Sequence, residues 1–145
     1  PSAPQLFSSP QPLVTMHHNP ILVENLSYTY PDGTQALREV NLAIAAGERV
    51  ALIGANGSGK STLQLHLNGI ILPQEGRVMV GEWAVQPENL QVIRNFVGLV
   101  FQNPDNQIFM PTVWEDVAFG PMNLGLRGTE LQKRVLQAMA DVNID

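Results

Sequence analysis

Residues 54–62 read GANGSGKST, and no other stretch narrows the possible folds so far. From Gly54 to Ser61 they match G-x-x-x-x-G-K-[ST]. Glycine tolerates φ > 0 and close backbone approach, and Gly54, Gly57 and Gly59 are expected to use both freedoms. Ala55, Asn56 and Ser58 then carry successive N–H groups that turn inward around an anion. A helix starting near Lys60 adds free N–H groups and the positive end of its dipole. Lys60 supplies a mobile charge for the β- and γ-phosphates, and the Ser61 hydroxyl is suited to Mg²⁺. Thr62 completes the motif. The loop fixes a phosphate; kinases, GTPases, recombinases and transport ATPases all use one like it.

The loop requires a strand before it and a helix after it. RVALIG (49–54) is a short apolar run of the kind buried on both faces of a mostly parallel sheet, and KSTLQLHLNGI (60–70) reads as a helix closed by Gly69. Upstream, ILVENLSYTY (21–30) and QALREVNLAI (35–44) read as strands joined by the turn PDGT. Downstream, GRVMVG (76–81) and FVGLVFQ (96–102) read as strands and NLQVIRN (89–95) as a short helix. TVWEDVAFG (112–120) predicts one or two helical turns. In the last helix Leu131, Val135, Ala138, Met139 and Val142 share a face, and Thr129 with Gln132 fits a capping box.

Composition sets the outer limits. With 44 % hydrophobic and 14 % charged residues the 145-residue chain can build a core of about one domain. Its net charge of -5 argues against a nucleic-acid partner, which would want a basic face. There are no cysteines, hence no thiolate metal sites or disulfides. Residues 1–19 belong to a Pro- and Ser-rich stretch expected to be a flexible lead-in. His17 and His18 are adjacent there but lack the further ligands a metal needs. No apolar run approaches the roughly 20 residues that cross a bilayer.

Two features outside the loop bear on its ligand. Tyr30 ends an early strand, where an aromatic face can stack on adenine; an ordinary half-buried tyrosine would look the same, and Tyr28 shares its strand face. Gln102 ends the run VGLVFQ, where its amide oxygen could reach Mg²⁺ or the attacking water; a polar strand terminus is the plainer alternative.

The order Tyr30, GANGSGKST, VFQNPDNQ resembles the first half of an ATP-binding-cassette (ABC) ATPase, and NPDNQIFMPTVWEDVAFGPMNLGL is similar to the energy-coupling-factor ATPases of cobalt, nickel and vitamin importers. The resemblance covers residues 20–145. It implies an α/β P-loop fold of ABC type, with a mixed sheet and an antiparallel β-subdomain. Residues 20–102 would form that subdomain and the P-loop core, and 103–145 the Q-loop and the start of a helical subdomain. Tyr30 would be the adenine-stacking aromatic, Gly54 to Thr62 the Walker A loop, and Gln102 the Q-loop glutamine. Lys60 and Gln102 are thus the implied catalytic residues, Ser61 and Gln102 the Mg²⁺ ligands, and ATP the nucleotide. The implied partners are a second ATPase subunit, a transmembrane coupling protein and a substrate-binding membrane subunit, at the cytoplasmic face of the cell membrane.

Some of the family's pattern is missing from these residues. No SGG of the signature occurs, and neither Asp116 nor Asp141 ends an apolar strand before a glutamate, as a Walker B strand would. His66 lies inside the loop's helix and reads as a packing residue, not a switch histidine. The expectation is a chain cut within the helical subdomain, with an exposed sheet edge, that binds ATP without efficient hydrolysis. A soluble ABC ATPase would need an inserted arm or a basic region, and a GTPase an Asn-Lys-x-Asp; neither occurs.

Overall fold

The computed structural model describes residues 20–103, 105 and 107–144. The proposed lead-in 1–19, with His17 and His18, lies outside them, as do Pro104 and Asn106 of the NPDNQ segment. The described residues form two compact units that divide between Leu99 and Val100.

In the first unit β1 (Ile21–Thr29) and β2 (Gln35–Ile44) are antiparallel around the PDGT turn. Gly33 N–H donates to the Tyr30 carbonyl at 2.9 Å, and the Asp32 carboxylate accepts from Thr34 N–H at 2.9 Å. β3 (Glu75–Val80) lies antiparallel on the other side of β1, and the two-residue β4 (Trp83–Ala84) edges the sheet, in the order β2-β1-β3-β4. The pairing of β1 shifts register between Val23 and Leu26, where Asn25 takes a positive φ. This bulge lets Val23 and Leu26 both turn inward although they are three residues apart. Val23, Leu26, Leu37, Val78 and Val80 from the sheet, Leu63 from helix α1 (Lys60–Leu67), Val85, and Ile93 from helix α2 (Leu90–Phe96) form one core.

The antiparallel half of the expected sheet is therefore present, but the two runs expected as parallel strands form no ladder. Residues 49–54 and 97–102 pair with no strand. Ile53 is 94 % exposed and Val100 87 %. A strand exists only through its partners, and among the described residues no strand ladder includes these segments.

The second unit contains α3 (Val113–Asn123) and α4 (Gly128–Asp141), packed on each other. α3 is longer than the one or two turns expected. The capping box stands at its start: Thr112 Oγ1 accepts from Glu115 N–H at 3.2 Å and donates to the Glu115 carboxylate at 2.7 Å. At α4 the expected box is not formed. The cap is Arg127, with no side-chain capping bond, and Thr129 already lies inside the helix. Of the predicted face, Val135 is buried and Leu131 and Met139 are half-buried, but Ala138 and Val142 are exposed.

Candidate nucleotide site

The GANGSGKST loop leads straight into α1. Gly57 and Gly59 have φ of +80° and +85°, as the motif demands. Gly59 is the N-cap of α1, and a Cβ there would stand 2.4 Å from the Ala36 carbonyl oxygen of β2. Glycine at 59 thus serves both the left-handed turn and the close approach of the helix start to the sheet. Gly54 differs from the expectation: its φ is not positive, and a Cβ there would meet the rotatable Ser58 Oγ at 2.6 Å.

No side chain caps α1. Its first-turn N–H groups have no intrahelical partners, and an anion is the natural complement. The Lys60 ammonium is folded back across the loop and donates to the carbonyls of Gly54 (2.8 Å) and Ala55 (2.7 Å) and to Ser58 Oγ (3.3 Å). These contacts hold a positive charge over the mouth of the loop. Ser61 is exposed on the first turn, with its hydroxyl available to a cation. Among the described residues no group of three His, Cys, Asp or Glu side chains could hold a metal. The exposed Ser61 hydroxyl, together with phosphate oxygens, would suit a Mg²⁺ ion, a cation that keeps most of its waters.

Tyr30 stands beside this loop. Its hydroxyl is 3.0 Å from Oγ1 of the buried Thr62, so the end of β1 is tied to the first turn of α1. Tyr28 and Tyr30 meet edge to face at 5.0 Å, as their shared strand face predicted. His66 is fully buried, in agreement with a packing role. Its Nδ1 lies 2.7 Å from the Thr62 carbonyl, which can only accept, so Nδ1 carries the proton. Nε2 has no hydrogen-bond partner among the described residues, and burial holds the imidazole pKa below the usual histidine range, with the Thr62 contact opposing that shift. Gln102 is exposed and belongs to the second unit, ahead of α3.

The loop, its helix and the flanking antiparallel sheet agree with what known proteins show. The chain matches the ABC transporter family over residues 37–145. It belongs to that family. A relative from Gloeobacter violaceus is 56 % identical over 87 % of this chain and 52 % of its own length. The energy-coupling factor transporter ATP-binding protein EcfA of Methanothermobacter thermautotrophicus is 55 % identical over 86 % of this chain and 40 % of its own. Among solved structures, cbiO1 from Clostridium perfringens, part of the ABC transporter complex cbiONQ, is 40 % identical with a TM-score of 0.77, over 89 % of this chain and 52 % of that one. The ATP-binding cassette MJ0796, a dimer with bound ADP and Pi, is 32 % identical with a TM-score of 0.72, over 86 % and 58 %. The chain spans about half the length of the curated relatives it matches. These likenesses fix the fold as the α/β P-loop fold of ABC ATPases.

Proposed function

We propose that this chain forms the nucleotide-binding part of the ATP-binding subunit of an energy-coupling-factor-type importer, which couples ATP binding and hydrolysis to uptake through membrane partners. The observation that carries the reading is the uncapped start of α1 under the Lys60 ammonium, with Tyr30 fastened to Thr62 at its side. Gly54 to Thr62 take the phosphates, the Tyr30 ring takes adenine, and Ser61 with Gln102 takes Mg²⁺. Lys60 and Gln102 act on the γ-phosphate side. The names of the relatives support the importer class, and the dimeric cassette supports pairing with a second ATPase subunit. The remaining partners in this reading are a transmembrane coupling protein and a substrate-binding membrane subunit, with the ATPase peripheral at the cytoplasmic face. No helix among the described residues is long and apolar enough to cross a membrane. The cargo is a metal ion, cobalt or nickel, or a vitamin.

Binding of Mg-ATP to the wild type, Lys60→Ala and Tyr30→Ala, followed by fluorescence, tests the site; retention of wild-type affinity in both variants would overturn it. The 145 residues themselves should bind Mg-ATP without ABC-like turnover, because no apolar strand ending in Asp-Glu occurs in them. Robust Mg²⁺-dependent hydrolysis that vanishes in Lys60→Ala would contradict that. Cargo is tested by cobalt, nickel and vitamin uptake in cells lacking the gene.

A further inference from the structure

One buried group has no task in the reading above. His66 is fully buried on α1, one turn beyond Thr62, and its Nε2 meets no partner among the described residues. A leucine would fill the space without burying an unpaired acceptor. The contacts around His66 close a ring. His66 Nδ1–H donates to the Thr62 carbonyl at 2.7 Å. The imidazole packs edge to face with Tyr28 at 5.0 Å and 76°. Tyr28 packs edge to face with Tyr30 at 5.0 Å and 88°. The Tyr30 hydroxyl returns to Thr62 Oγ1 at 3.0 Å. Tyr28 of β1, Tyr30 just after it and two residues of α1 thus fix one another in turn.

We infer that His66 is a positioning residue for nucleotide base recognition: by bonding Thr62 and buttressing Tyr28, it fixes the plane of the Tyr30 ring relative to the phosphate loop. The inference rests on the reading of Tyr30 as the adenine platform. The hydrogen bond sets the rotation of the imidazole, and the imidazole edge sets the tilt of Tyr28. Tyr28 and the Thr62 hydroxyl then leave Tyr30 one orientation. A stacking surface fixed before binding loses less freedom when the base arrives. Of the residues read as taking the phosphates only Thr62 belongs to this ring, and His66 meets it at the carbonyl, so the effect should fall mainly on the base.

The test compares Mg-ATP with inorganic tripolyphosphate, which engages the loop without a base, on the full-length protein. His66→Leu should weaken ATP about three- to tenfold, the range of one or two aromatic contacts, and tripolyphosphate less than about twofold. Tyr30→Ala should show the same selective loss, and the double variant should lose no more than Tyr30→Ala alone. Should His66→Leu not fold, His66→Phe keeps the ring volume but cannot donate to Thr62, and it should still lower ATP affinity selectively. Equal losses for both ligands would mark His66 as merely structural and overturn the inference. So would additive losses in the double variant, or undiminished ATP affinity in the folded His66 variants. If Tyr30→Ala itself leaves ATP binding unchanged, the adenine reading of Tyr30 falls and takes the inference with it; if only the His66 variants are neutral, the inference falls alone.

Discussion

The hydroxyl of Tyr30 lies 3.0 Å from Oγ1 of Thr62, so the aromatic just after the first strand is tied to the first turn of the helix that follows the phosphate loop. The bond is half-buried and joins residues 32 positions apart. Removing the Tyr30 hydroxyl with Phe leaves the ring in place and the Thr62 hydroxyl without this partner. Stability should fall by about 1 kcal/mol in urea unfolding. ATP affinity should change less than in Tyr30→Ala, because the stacking face survives. A Phe variant as weak in binding as the Ala variant would mean that the hydroxyl, not the ring, serves the nucleotide.

Lys60 spends its three donors on the loop's own carbonyls and Ser58. These contacts are exposed, so Lys60→Ala should cost under about 1 kcal/mol of stability. A charge-assisted bond to phosphate is stronger, about 1.5–3 kcal/mol, or roughly ten- to a hundredfold in Kd. Parallel melting and binding curves check the contrast: large loss of ATP affinity, small loss of Tm.

The two left-handed glycines of the loop should differ on substitution. A Cβ at Gly57 meets nothing within 4 Å, whereas at Gly59 it runs into the Ala36 carbonyl at 2.4 Å. Gly57→Ala carries conformational strain alone, about 1–2 kcal/mol. Gly59→Ala adds a clash with backbone that cannot rotate away, so its midpoint in urea should be clearly the lower of the two. Equal midpoints would refute the close approach of α1 to β2.

Much of this was legible in the sequence where local chemistry decides the outcome. The glycine loop and α1 follow from residues within a few positions of each other, and β1, β2 and β3 are β-formers set between turn residues. The runs at 49–54 and 96–102 were not legible, because an apolar stretch says that it wants partners and not whether the chain offers them. Ile53, 94 % exposed, shows the difference. The capping boxes make the same point more finely. Thr112 with Glu115 and Thr129 with Gln132 both satisfy the template, yet the helix boundary chose the first. For the site, the sequence pointed to Tyr30 and the loop separately. It treated His66 as filler, although a histidine four residues after Thr62 was placed to bond the Thr62 carbonyl.

That capping box gives a prediction for the second unit. Thr112→Ala removes the acceptor of Glu115 N–H and the partner of its carboxylate, and should cost about 1 kcal/mol. Faster hydrogen exchange should appear in the first turn of α3, while α1 keeps its protection. Thr129→Ala, in contrast, removes no cap and should leave the exchange of α4 nearly unchanged.

Acidity offers a probe of the buried imidazole. Burial lowers the pKa of His66 in the folded protein, so the unfolded chain, titrating near pH 6.5, binds the proton more readily. The stabilisation from keeping His66 neutral is complete above about pH 6.5 and is lost as pH falls below it toward the folded pKa. One proton differs between the states in that window, so stability should fall by up to about 1.4 kcal/mol per pH unit through this group. The groups packed on the ring are Tyr28 and Thr62. Unfolding free energies of wild type and His66→Phe, measured from pH 7.5 down to 5, isolate the contribution, because His17 and His18 are common to both. The difference between them should narrow or reverse in favour of Phe on acidification. A constant difference across that range would mean that His66 has the same proton affinity folded and unfolded, and would rule out the lowering of its pKa by burial.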